Sequence, residues 1–236
     1  MEFPKQKISA SLINSYFSCP FGFKLTVIDG YLTKEGPALE QGSMFDYMFK
    51  IYHNGKDPYE ETKKKFFNEI PTAQQLDNFI VARKMMLKYE KNPKKFKEPK
   101  FDIGFGIDIS EIVKRPIKLT GYLDGMDGTE GIEVKTASSL KDWNQERVDT
   151  EIQSKIYRYY IHKTFNVEKP VLHYIVFPKN KDDYIELKSE TKDGDFDELF
   201  KKVNLFIESV EAEKFDKNPN HPFYCPCRQL SKELGL

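Results

Sequence analysis

The chain is poor in cysteine, tryptophan and arginine and carries no net charge. Its 37 acidic residues balance 37 basic ones, of which only Arg83, Arg115, Arg147, Arg158 and Arg228 are arginines. A chain without excess charge is not held on nucleic acid by bulk electrostatics, so any phosphate contact must come from a local patch. Three cysteines cannot all pair internally, and 236 residues bury enough core not to depend on disulfides, which leaves reduced, metal-bound or inert thiols. No apolar run approaches the ~20 residues of a membrane helix. With a mean hydropathy of -0.62, a helical membrane-spanning protein is excluded and a soluble one expected. The opening Met-Glu-Phe-Pro-Lys lacks the basic start, apolar stretch and small-residue cleavage site of a signal peptide, so a cytoplasmic location is expected.

What is present is 14% aromatic residues, enough bulk to fill a sizeable core, and a hydrophobic period that changes along the chain. Over residues 9–25, Ser-Ala-Ser precedes Leu12, Ile13, Tyr16, Phe17 and Cys19 at mostly helical spacing, and Pro20 interrupts. This predicts a short helix that breaks near Cys19. Further helices are expected over 39–52, stopped by Asn54-Gly55, and over 59–67 and 72–89. Between Lys88 and Lys100, two prolines among dense lysines read as an exposed connection. After Phe101 the period becomes two, through Ile103, Phe105, Ile107 and Ile109 and again through Ile117, Leu119, Gly121 and Leu123. A third strand is expected over 132–136, one long helix over 144–165, a nearly all-apolar central strand over 171–177, a short partner over 184–187 and a last helix over 195–215. With no internal repeat or low-complexity linker, the expectation is one α/β domain over 1–236. It comprises a mainly helical elaboration (1–100), a central sheet flanked by helices (101–190) and a C-terminal helix with a Cys-x-Cys tail (191–236).

Chemistry concentrates between Gly121 and Thr136. Asp127-Gly128 is a strong hairpin signal, because a type I′ turn needs positive φ at both central positions. With those two residues in the turn, Met126 faces Thr129 and Asp124 stands opposite Gly131. Asp124, Glu133 and Lys135 then share one side of the sheet, the two carboxylates as diagonal neighbours ~7 Å apart, with the side-chain-free Gly131 leaving room for a cation. Oxygen ligands suit Mg²⁺ or Mn²⁺, and a lysine two residues on could orient a nucleophile or stabilise a transition state, so hydrolysis of a phosphodiester is implied. The same residues could equally form an exposed, ion-paired strand face.

Gly-x-x-Asp, a short hairpin, Glu133-Val-Lys135-Thr and then a helix bearing Gln153 and Tyr157 together resemble the RecB-like branch of the PD-(D/E)XK nucleases. Ser9 to Leu25, with Cys19-Pro20, is similar to the Ser-x-Ser…Tyr-x-x-Cys-Pro opening of that branch. The resemblance implies a restriction-endonuclease-like core with a mixed sheet and a DNA nuclease of the exonuclease or single-strand endonuclease kind. Recombination, repair, and viral or CRISPR DNA processing are its implied settings. It implies DNA, single-stranded or with free ends, as partner, and Asp124 and Glu133 as metal ligands. Lys135 would be the catalytic lysine, with Gln153 and Tyr157 positioning it or the substrate. Where relatives have Gly-x-x-x-His, this chain has Gly42-Ser-Met-Phe-Asp46, which makes Asp46 either a further metal ligand or an exposed helix residue. The lysines of 88–100 and a stacking aromatic, Tyr159 or Tyr160, are candidates for a local DNA groove.

Cys19 and Cys225-Pro-Cys227 are similar to the cysteines of RecB-like exonucleases with an iron-sulfur staple, the CRISPR-associated and AddB types among them. Those have four cysteines and a [4Fe-4S] cluster, whereas this chain has three cysteines and a shortened C-terminal spacing. A [4Fe-4S] cluster or zinc held by Cys19, Cys225, Cys227 and His221, a degenerate site whose cysteines merely pack together, and an adventitious disulfide all stay open. His53, His162 and His173 have no ligand-spaced neighbours and read as ordinary histidines. The rival from another class is a non-catalytic DNA-binding or assembly subunit on the same fold, and a weaker third is a phosphohydrolase of small nucleotides.

Overall fold

The computed structural model describes residues 3, 6–32, 37–179, 183–218, 225, 227, 230 and 235. Along them run β1 (Lys7–Ile8), α1 (Ala10–Ser18), α2 (Pro20–Phe23), a π-helical turn (Lys24–Ile28), α3 (Pro37–His53), α4 (Pro58–Phe66), α5 (Ala73–Tyr89) and β2 (Pro99–Asp108). They continue as α6 (Ser110–Val113), β3 (Lys118–Asp127), β4 (Glu130–Ala137), α7 (Gln145–Thr150), α8 (Ile152–Phe165), β5 (Val171–Pro178), β6 (Ile185–Glu190) and α9 (Asp195–Glu211). The strands form a mixed sheet in the order β1-β3-β4-β5-β6, with β2 also paired to β3. Pairing is parallel for β1–β3 and β4–β5 and antiparallel for β3–β4 and β5–β6. The expected α/β class, mixed sheet and helical first half are the ones found, while the apolar β5, expected at the centre, is an interior strand between β4 and the edge strand β6. Among the described residues no helix is long and apolar enough to cross a membrane.

The chain divides into two compact units, one of Met1–Lys34, Gly104–Gly121 and Lys192–Leu236, the other of Glu35–Ile103 and Tyr122–Thr191. In the first, the Ser9 hydroxyl accepts the Leu12 N–H and caps α1, and Pro20 opens α2 after the break at Cys19. Tyr16 and Phe23 pack edge-on against Phe206 of α9, which ends at Glu211 rather than running to residue 215.

In the second unit, Met44, Phe45, Met48 and Phe49 of α3 and Phe79, Met85, Met86 and Tyr89 of α5 bury one face of the sheet, meeting Ile132 and Val134 of β4 and Ile175 and Phe177 of β5. Side chains alternate along a strand, so Glu133 and its neighbour Tyr174 point the other way, toward α8, where Ser154 hydrogen-bonds the Tyr174 hydroxyl at 2.7 Å. Two expectations fail in this unit. The helix expected over 144–165 is two, α7 and α8, because Glu151 is extended at ψ 133. Its carboxylate accepts Arg147 Nε at 2.7 Å, while the Asp149 carbonyl takes a hydrogen bond from the buried Arg158. The hairpin turn is also displaced. Asp127 pairs with Glu130, so Gly128 and Thr129 are the central residues, with positive φ at Gly128 alone, the type II′ pattern. Asp127 stays in the strand because its carboxylate accepts the main-chain N–H groups of Lys97 and Glu98 at 2.9–3.1 Å. Gly131 therefore faces Met126 and not Asp124.

His53 closes α3 among Phe49, Tyr89 and Phe96, and its Nε2 shares a hydrogen bond with the Tyr89 hydroxyl at 2.8 Å. Burial pushes its imidazole from 6.5 down to about 4. The unfolded chain then takes up the proton first. The His53 contribution to stability is level above pH ~6.5 and falls as the pH drops toward ~4, by on the order of 1 kcal/mol once the shift is discounted for the partial exposure of the ring. Denaturant unfolding of wild type and His53→Gln across that range should show the stability difference between them fall by that amount as the pH drops; a difference that stays constant would assign the titration to another group.

Candidate active site

Beyond the Gly125–Ile132 pair, β3 stops pairing with β4 through its main chain, and the Asp124 side chain takes over by accepting the Val134 N–H on Oδ2 at 2.8 Å. The inside-outside alternation of β3 slips here. Leu119 and Leu123 are buried and Tyr122 is exposed, but Gly125 and Met126 are buried in succession. Asp124 sits at the slip, where counting faces from a regular strand fails. In the middle of α3, Asp46 lines the same cleft of about 410 Å³, with Gly42, Asp124, Lys135 and Thr136.

Glu133 is 2% exposed. Its Oε1 accepts Lys135 Nζ at 2.5 Å and Gln153 Nε2 at 2.8 Å. Gln153 also donates to the Tyr157 hydroxyl at 2.8 Å, and that hydroxyl donates to the Tyr122 carbonyl at 2.7 Å. Gln153 and Tyr157, four apart on α8, thus form a chain that fixes Glu133 rather than touching Lys135 directly. The structure brings Asp124, Glu133, Lys135, Gln153, Tyr157 and Asp46 into one connected neighbourhood. Tyr159, a stacking candidate, is 4% exposed and packed inside, so it offers no face to a base.

Burial first, then the neighbouring Glu133 and Asp46 carboxylates, hold Asp124 well above the usual carboxylate range. Burial raises Glu133 as well, against the opposing pull of Lys135. Asp46 is raised by burial despite the ion pair it makes with Lys50. For Lys135, burial favours the neutral amine, but Glu133 and Asp124 outweigh it and raise the group. Three carboxylates gathered where each resists ionisation mark a place where a cation would be stabilising.

Each carboxylate has one oxygen fixed by protein donors and another held less completely. Among the described residues Asp46 Oδ1 and Glu133 Oε2 are buried with no hydrogen-bond partner, and Asp124 Oδ1 lies 4.0 Å from Lys50 Nζ. Orphaned buried acceptors and hard oxygen donors fit a divalent cation. The three groups are set more widely than the cysteine sulfurs, which among the described residues are the potential ligands that lie within 4.8 Å of one another.

Those sulfurs belong to the first unit. Cys19, Cys225 and Cys227 are buried free thiols, with Sγ–Sγ separations of 3.5 Å (Cys19–Cys227) and 2.9 Å (Cys225–Cys227). A Cβ on Gly22 would come within 3.1 Å of Cys225 Sγ and 3.3 Å of Cys19 Sγ, so the missing side chain makes room for the trio. Burial would raise Cys19, but hydrogen bonds from Cys225, the Gly22 N–H and Cys227 bring it below the ordinary thiol value. Burial raises the other two. His221, expected as a fourth ligand, lies outside the described residues. His53, His162 and His173 hydrogen-bond Tyr89, the Val167 carbonyl and Glu130 respectively, as ordinary histidines do.

Sequence reading passed over Lys50 and Asp102, whose charges meet Asp46. Lys50 lies four residues after Asp46 on α3, a spacing that signals an ion pair. Nothing in the sequence marks Asp102.

Residues 7–230 match the family model of the PD-(D/E)XK nuclease superfamily. No curated protein matches the chain. Among solved structures it is similar to a crystal structure of SSO0001, at 15% identity over 96% of this chain and 86% of that one, with a TM-score of 0.43.

Proposed function

The chain belongs to the PD-(D/E)XK nuclease superfamily, and on that premise we propose that it is a RecB-like, metal-dependent deoxyribonuclease that hydrolyses phosphodiester bonds. The observation that carries the reading is the orphaned Glu133 Oε2, sealed in the protein beside Asp124 and Lys135. Asp124, Glu133 and Asp46 would hold Mg²⁺ or Mn²⁺. Bound there, the cation neutralises charge developing on the phosphate and lowers the pKa of water.

The chain's own residues set the geometry. Gln153, held by Tyr157, fixes Glu133 Oε1 and so fixes which oxygen is left without a protein donor. Lys135 Nζ, a point charge beside Glu133, stabilises negative charge on the attacked phosphate or orients the nucleophile. Lys91, Lys95, Lys97 and Lys100 are exposed and supply a local positive stretch that the balanced chain lacks overall. The family match takes in both compact units and supports reading them as one nuclease domain.

The cysteine trio would hold a thiophilic metal, either zinc or an iron-sulfur cluster. Elemental analysis of anaerobically purified protein should find close to one zinc, or several irons with visible absorbance, lost in Cys19→Ser. Metal-free, fully folded protein would make the trio a packing cluster.

The function is tested on end-labelled linear and circular single-stranded DNA with Mg²⁺, Mn²⁺ or EDTA. Cleavage with metal and none with EDTA is expected, and cutting of circles would add endonuclease to exonuclease action. Folded protein that binds DNA with metal present and cuts neither substrate would replace this reading with the non-catalytic subunit.

A further inference from the structure

A cation already stands against the carboxylates of the cleft. Lys50 Nζ lies 2.6 Å from Asp46 Oδ2, 2.6 Å from Asp102 Oδ1 and 4.0 Å from Asp124 Oδ1, and its side chain is 10% exposed. Two of its partners line the cleft; the third is different in kind. Asp102 is 74% exposed and adopts a left-handed backbone at φ 58 within β2, a conformation unfavourable for a non-glycine residue. Lys50 therefore bridges cleft carboxylates that are partly shielded, at 32% and 23% exposed, and a carboxylate that is well solvated.

This arrangement has a consequence for any incoming cation. A divalent ion that took Asp46 and Asp124 would repel the ammonium at close range. A buried lysine stripped of its partners would be costly, but here Asp102 stays bonded as the others are lost. The departing charge has an acceptor already in contact.

Resting on the reading of Asp46, Asp124 and Glu133 as metal-binding carboxylates, we propose that Lys50 is the resident counter-cation of that site. In the metal-free protein its ammonium neutralises Asp46 and Asp124, and a divalent cation enters by displacing it onto Asp102. Lys50 thereby sets the metal concentration at which the site fills. The opposing view makes Lys50 a strut that holds Asp46 in its binding rotamer, and the two differ in sign.

The test is Mn²⁺ binding to metal-stripped protein, read by calorimetry and by the electron paramagnetic resonance signal of free Mn²⁺, with no DNA present. Lys50→Met, which keeps the stem and removes the charge, should bind Mn²⁺ ~10-fold or more tightly. Asp102→Asn, far from the ligand oxygens in exposure, should bind ~3- to 10-fold more weakly, because the ammonium then has only the cleft carboxylates to pair with. Asp124→Asn should lose binding. Both signs are required, and either variant standing still or moving the other way, while Asp124→Asn still abolishes binding, overturns the proposal and leaves the metal site intact. Absence of Mn²⁺ binding from wild type and every variant, or binding indifferent to Asp124→Asn, removes the metal site and the proposal with it. Should Lys50→Met fail to fold, Asp102→Asn decides alone.

Discussion

Glu133→Gln is expected to lower metal-dependent cleavage by ~10³-fold or more while leaving the protein folded. Glutamine has the shape of glutamate, so the packing around a side chain that is 2% exposed is kept. Its carbonyl can satisfy the Gln153 and Lys135 donors that now converge on Oε1, which turns the amide nitrogen toward the place of the orphaned Oε2. A donor there cannot ligate a cation. Metal-free stability should change little, because two effects oppose. Burial penalises the Glu133 carboxylate, and removing it relieves that penalty, but Lys135 loses its nearest counter-charge. Lys135→Met separates binding from chemistry. It should cut the rate comparably yet keep Mn²⁺ affinity or tighten it, since a positive charge is withdrawn from the site. Retention of more than a tenth of wild-type cleavage in Glu133→Gln, or equal loss of Mn²⁺ affinity in both variants, would dismantle the assignment of roles.

The residues that assemble here were legible in the sequence to the extent that local spacing determines them. Glu133 and Lys135 are two apart on a strand and Gln153 and Tyr157 four apart on a helix, so each pair had to share a face, and each does. Cys19 and the Cys225–Cys227 pair carry a long-range signal in their chemistry, and the fold brings their sulfurs together. What escaped was decided by contacts distant in sequence. The strength of Asp-Gly as a turn signal is real, but it says nothing of the N–H groups of Lys97 and Glu98, which hold Asp127 in the strand and move the turn onward by one residue. The break at Glu151 has no glycine or proline to announce it and shows only where its side chain and the Asp149 carbonyl find Arg147 and Arg158. Lys50 was visible as a partner for Asp46, whereas its bond to Asp102 depends on β2 lying beside α3, which no local pattern encodes.

Gly131 is where the corrected register changes a physical expectation most. Placed opposite Asp124, its missing side chain would make room for a cation, and a substitution would then expel metal from a stable fold. Placed opposite Met126, it makes room for the core. A Cβ there would stand 2.7 Å from Leu172 Cδ1, 3.0 Å from Ile161 Cδ1 and 3.1 Å from Leu123 Cδ2, all three fully buried. Contacts that short cannot persist, and three buried side chains from β3, α8 and β5 cannot all yield without opening space elsewhere. Gly131→Ala should therefore lower stability by ~1–3 kcal/mol and Gly131→Val by more, despite the preference of valine for strands. Leu172→Ala alone should cost ~2–5 kcal/mol as a cavity, yet in the Gly131→Val background it removes the worst clash, so the double variant should be more stable than the sum of the two losses. Denaturant unfolding of the four proteins gives that coupling directly. Strictly additive losses would mean that the clash is relieved elsewhere and the packing assignment is wrong. Folded Gly131→Ala should meanwhile bind Mn²⁺ within ~3-fold of wild type, because its methyl points at leucine and isoleucine rather than at the carboxylates. Full stability with lost Mn²⁺ binding would restore the hairpin register in which Gly131 faces Asp124.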